Sequence, residues 1–133
     1  VKHGSRAAWE IAARRLDVDE VMLVDRSGLI LECNRSNVVA VVDGAVCTPP
    51  LDGGLLAGVT RSAVLEAARE AGLMVRVAPL RRSAPFSALY ATSTLKEIAP
   101  IVTLDGQKLA SWDPVGRALQ ASLAIVFARE CGP

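Results

Sequence analysis

Several groups of residues in this chain have types and spacing that could do chemistry. Gly58-Val59-Thr60-Arg61 follows a Gly-containing loop and opens a predicted helix. A helix amino end presents unpaired N–H groups and the positive end of the helix dipole, both of which favour a phosphate. Gly58 lets a ligand come close to the backbone, and Thr60 adds a hydroxyl. The same residues also suit an ordinary helix start with Thr60 as a cap. Thr92-Ser93-Thr94 ends a predicted strand, where three hydroxyls suit either an anion or an ST-turn. Glu32 closes the apolar run Leu29-Ile30-Leu31-Glu32-Cys33. If buried it needs a cationic partner or a donor, such as a protonated ring nitrogen; at a strand end it could equally face water. Lys2 could form a Schiff base if desolvated, or be a solvated terminal residue. His3 is the one histidine, and no G-x-S-x-G elbow accompanies it, which sets hydrolase chemistry aside.

The elements that must carry these residues follow from periodicity and turn chemistry. Residues 5–16 predict a helix with Ala8, Ile11, Ala12 and Leu16 on one face. Short strands are expected at 21–24, 29–32, 37–42 and 45–47, with Asp43-Gly44 as a hairpin turn between the last two. Residues 48–54 read as a loop, and 58–71 as a helix burying Val64, Ala67, Ala68 and Ala71 and ending at Gly72. Beyond it the pattern predicts a strand at 73–78, a short helix at 81–87, a strand at 89–93, a tight turn at 95–97 and a strand at 98–104 interrupted by Pro100. Asp105-Gly106 is a second hairpin turn, and Pro114 opens a helix over 114–129 with Val115, Leu119, Leu123 and Val126 to one side. The sum is a mixed α/β domain of about eight short strands and three or four helices.

Composition narrows the partners. The 133 residues, 51% of them hydrophobic and only 4% aromatic, suffice for one domain with a real core, so Val, Leu, Ile and Ala must fill the interior. A net charge of +1 argues against nucleic acid or an anionic membrane as the main partner. Cys33, Cys47 and Cys131 are odd in number and lack C-x-x-C spacing, which predicts neither a disulfide framework nor a metal site and suits a reducing, cytoplasmic setting. The apolar-rich run 118–128 is too short to span a bilayer.

Taken together, Lys2, Glu32-x-x-x-x-Asn37, Thr48-Pro49-Pro50, Leu56-x-Gly58-Val59-Thr60-Arg61 and Thr92-Ser93-Thr94-x-x-Glu97-Ile98-x-Pro100 resemble the fold-type IV pyridoxal-phosphate enzymes. These are the class IV aminotransferases, which include branched-chain and D-amino-acid aminotransferases and 4-amino-4-deoxychorismate lyase. The chain departs from the pattern at Asn34, where a small residue is usual, at Val39, where Phe or Tyr is usual, and at Ala57, a frequent Pro. The resemblance implies a mixed-sheet pseudo-barrel domain with surrounding helices. It implies that Lys2 holds pyridoxal 5'-phosphate covalently and shuttles a proton, and that Glu32 keeps the pyridine nitrogen protonated. The amides of Val59 and Thr60 after Gly58, with Thr94 and Ser93, would bind the phosphate, and Leu56 would pack on the ring.

The resemblance further implies a C-terminal, cofactor-binding domain over 1–133, without the smaller N-terminal domain of the family, and hence weak turnover by this chain alone. The expected chemistry is transfer of an amino group between an amino acid and a 2-oxo acid, with a homodimer as the usual assembly. Elimination of pyruvate by a lyase is the alternative within the family. Ala7 stands where branched-chain enzymes place a tyrosine, which weighs against that substrate class. A non-catalytic cofactor-binding or dimerisation domain is the alternative outside it.

Overall fold

A computed structural model describes residues 3–33, 36–50, 59–93 and 97–131. Helix α1 (His3–Leu16) precedes four strands, β1 (Met22–Val24), β2 (Leu29–Cys33), β3 (Asn37–Val42) and β4 (Ala45–Thr48). Helix α2 (Val59–Glu70) is followed by β5 (Val75–Val77), β6 (Leu80–Arg81), β7 (Ala88–Ser93), β8 (Glu97–Pro100), β9 (Thr103–Leu104) and β10 (Gln107–Lys108). Helix α3 (Pro114–Cys131) ends the order. The fold is mixed α/β, as expected, with more and shorter strands than the pattern predicts.

The strands form a five-stranded sheet ordered β5-β4-β3-β7-β8, a three-stranded sheet β1-β2-β6 and the β9–β10 hairpin. The large sheet is mixed, because β4 and β5 are parallel while its other neighbours are antiparallel. A parallel pair needs a crossover, and α2 supplies it. Alternation along β3 splits the core in two. Val39 and Val41 face Val46, Tyr90 and the apolar sides of α2 and α3. Val38 and Ala40 face Ile30 and Leu80 of the three-stranded sheet. The all-apolar run from Val38 to Val42 thus follows from burial on both faces.

The turns obey local chemistry. Asp43 and Gly44 take φ of 51° and 76°, and Asp105 and Gly106 take 52° and 80°, the doubly positive pattern of a two-residue hairpin. At the end of α2, Gly72 has a φ of 76°, its amide donates to the Arg69 carbonyl, and the Leu73 amide donates to Ala68, which completes a Schellman cap.

Two sequence expectations are corrected. Residues 81–87 form no helix: β6 pairs with β2 through Leu29↔Arg81, and a turn follows. Pairing to β2 outweighs local helix tendency there, since Pro85 cannot contribute an N–H to a helix. The face of α1 carrying Ile11 and Leu16 is not buried; they are 47% and 67% exposed, whereas Ala13 is 3% exposed. Periodicity identifies an amphipathic helix without saying what covers its apolar side. The predicted inner faces of α2 and α3 hold, with Val64, Ala67, Ala68, Leu119, Leu123 and Val126 buried; Ala71 lies exposed at the helix end.

Candidate functional site

Glu32 sits near the end of β2, paired across to Leu23 and only 4% exposed. Its strand neighbours Ile30 and Cys33 belong to the core between the two larger sheets. The turn that follows is closed by the Cys33 amide donating to the Ser36 carbonyl at 2.8 Å. Ser36, itself buried, donates its hydroxyl to Glu20 Oε2 at 2.6 Å, which ties this turn to the segment before β1. Nothing in the local sequence signals that Ser36–Glu20 bond, since the residues stand sixteen apart.

The other candidate groups gather at the same end of the large sheet. Asn37, which starts β3 immediately after that turn, pairs with Thr92, and Ser93 is next along β7. Thr48 ends β4 and donates its hydroxyl to the Val38 carbonyl at 2.8 Å, so β4 finishes beside the start of β3. Pro49 follows, and its carbonyl accepts a 2.7 Å bond from Arg61 Nη2 in the first turn of α2. The β2–β3 turn, the end of β7 and the amino end of α2 therefore converge. Val59 and Thr60 open α2, with their backbone described. Lys2, Leu56, Gly58 and Thr94 lie outside the described residues.

This set has the chemistry of a site for an anionic, ring-bearing group. A buried carboxylate suits a ring N–H, and a helix amino end suits a phosphate. The hydroxyl of Thr92, at the same end, is fully buried and has no hydrogen-bond partner among the described residues. An unpaired buried hydroxyl is uncommon in a folded protein and marks this end of β7 as a place where local polar groups are not all satisfied. The groups gathered here, a buried carboxylate at Glu32, a hydroxyl at Ser93 and the amino end of α2, are of the kinds the sequence resemblance calls for. Among the described residues no cluster of His, Cys, Asp or Glu could hold a metal ion.

Comparison with known proteins decides the family. Residues 1–104 match the family described as amino-transferase class IV. The chain belongs to the class IV aminotransferase family. It is 32% identical over 122 residues to the branched-chain-amino-acid aminotransferase of Escherichia coli K12, covering 89% of this chain and 40% of that protein. A solved structure of the branched-chain amino acid aminotransferase from Escherichia coli superposes with a TM-score of 0.81 at 31% identity, covering 87% of this chain and 41% of that one. A PLP-bound form of a hypothetical aminotransferase from Mycobacterium tuberculosis gives a TM-score of 0.84 at 26% identity, over 95% of this chain and 46% of that one. The chain thus spans about two fifths of the length of these relatives.

Proposed function

We propose that this chain carries the cofactor-binding part of a pyridoxal-phosphate-dependent aminotransferase, which moves an amino group between an amino acid and a 2-oxo acid. The observation that carries the reading is the convergence of buried Glu32, Ser93 and the amino end of α2 at one end of the sheet, in a class IV chain. When bound, pyridoxal phosphate supplies an electron sink for the carbanion formed at the substrate Cα.

The chain's own residues have distinct tasks in this reading. Glu32 holds the proton on the ring nitrogen, because a buried carboxylate beside a ring N–H favours the charged ring. The amides of Val59 and Thr60, with Ser93 and Thr94, bind and orient the phosphate, so that the reacting carbon is fixed relative to the protein. Leu56 would pack on the ring. Lys2 would hold the cofactor through its amine, with water as the group lost, and would carry a proton to and from the substrate Cα. The names of the relatives make leucine, isoleucine and valine the first amino acids to test, although Ala7 departs from the tyrosine of branched-chain enzymes. We further propose a homodimer, which the family resemblance suggests.

The test is a spectral titration of the chain with pyridoxal phosphate, followed by addition of each branched-chain amino acid. The expected result is a saturable visible band with the cofactor and its conversion to the pyridoxamine form with amino acid. The Glu32→Gln variant should retain the band and slow the conversion by about 100-fold or more, the scale of losing one positioned proton-handling group. A band that forms yet is insensitive to every amino acid would favour a cofactor-binding scaffold, and pyruvate released from aminodeoxychorismate would favour the lyase.

A further inference from the structure

Arg61 is a cation in an unfavourable place. It is the third residue of α2 and only 6% exposed, and its recorded bond is the one from Nη2 to the Pro49 carbonyl. A guanidinium has five N–H donors. No carboxylate forms an ion pair with it among the described residues, and burial alone acts on its ionisation, in the direction of weakening the charge. A buried cation also opposes the positive end of its own helix dipole. An apolar side chain of similar length would fill the volume without either penalty. A dianion bound at the same helix end offsets both.

We propose that Arg61 is a positioning residue for the phosphate of the bound ligand. Its bond to Pro49 fastens the first turn of α2 to the end of β4, across the base of the connection between them. That fixes the amides of Val59 and Thr60 relative to the β3 and β7 ends. Its buried charge biases the same end of the helix toward a dianion. The inference deepens the cofactor reading above and rests on it.

The experiment compares the wild-type chain with Arg61→Met and Arg61→Lys. Each is titrated with pyridoxal phosphate and with pyridoxal, which lacks the phosphate, by visible absorbance. Thermal melts of the ligand-free proteins report folding. Arg61→Met should melt at or above the wild-type temperature, bind pyridoxal phosphate about tenfold or more weakly, and bind pyridoxal within twofold of wild type. Arg61→Lys keeps the charge and should lose only about threefold for pyridoxal phosphate. Equal binding of pyridoxal phosphate by wild type and Arg61→Met overturns the inference, as does equal weakening for both ligands. Should Arg61→Met not fold, Arg61→Lys decides on the same criterion: a loss confined to the phosphorylated ligand supports the inference, and no loss or an equal loss overturns it. Absence of pyridoxal phosphate binding by the wild-type chain overturns the cofactor reading itself and the inference with it.

Discussion

One side chain at the candidate site has an unmet polar group. The Thr92 hydroxyl is buried without a partner among the described residues. Leaving such a group unpaired costs about 1–3 kcal/mol, so Thr92→Val should stabilise the ligand-free chain by about 1 kcal/mol in urea denaturation. A decrease in stability would show that the hydroxyl is satisfied. Asp25 is the opposite case. Its Oδ1 accepts bonds from the Leu29 amide at 2.9 Å, the Ser27 hydroxyl at 2.8 Å and the Ser27 amide at 2.9 Å. These bonds, the Leu29 amide first, hold its carboxyl below the ordinary range. A depressed carboxylate stabilises the fold above its unfolded pKa, about 3.9, and loses that contribution as pH falls through the folded value. Melting temperatures taken from pH 5 downward, about a unit above that pKa, should therefore fall less steeply for Asp25→Asn than for wild type. The sequence singled out Glu32, because an acid in an apolar strand must be explained, but left open whether it is buried or faces water. The burial of Arg61 was not legible, because spacing locates a motif without showing which side chains turn inward.

At the scale of elements, α3 is locked onto the large sheet by one close approach. A Cβ on Gly116 would lie 1.8 Å from the Tyr90 hydroxyl, so only glycine fits there. The Tyr90 hydroxyl donates to Asp113 Oδ1 at 2.5 Å, and the same oxygen accepts the Gly116 amide at 2.7 Å as the cap of α3. Trp112 lies against the Tyr90 ring, with centroids 5.4 Å apart. Burial first, and the bond to Asp113 next, push the Tyr90 pKa up to about 12. Because the folded value is raised, this contribution is complete below about pH 10, the ordinary tyrosine value, and is lost as pH rises toward 12. Tyr90 is the one tyrosine, so an ultraviolet titration of tyrosinate reports it alone. The expected midpoint is about 12, with unfolding close behind; a midpoint near 10 in folded protein would contradict the packing described. Elements specified by local chemistry were legible: both Asp-Gly hairpins, the Gly72 cap and the inner faces of α2 and α3. Pairing of β6 with β2 was not, because a two-residue strand has no period of its own and is fixed by its distant partner.

Over the whole molecule, two cores share one sheet, and the candidate site lies where the strand ends and the α2 amino end meet. No helix among the described residues is long and apolar enough to cross a membrane. The sequence pattern conveyed the class of fold, because alternation and helical period record burial. Alternation and period alone could not place Glu32, Ser93 and α2 at one end, since that follows from register between strands tens of residues apart; only the motif resemblance implied it. The central claim is that this end holds pyridoxal phosphate for Lys2. The chain has three lysines, Lys2, Lys96 and Lys108, which makes one measurement decisive. The protein is saturated with pyridoxal phosphate, reduced with borohydride, digested, and the pyridoxyl label mapped by mass spectrometry. The account predicts near-stoichiometric label on Lys2, lost in Lys2→Ala. Label distributed over Lys96 and Lys108, or undiminished in Lys2→Ala, would contradict it.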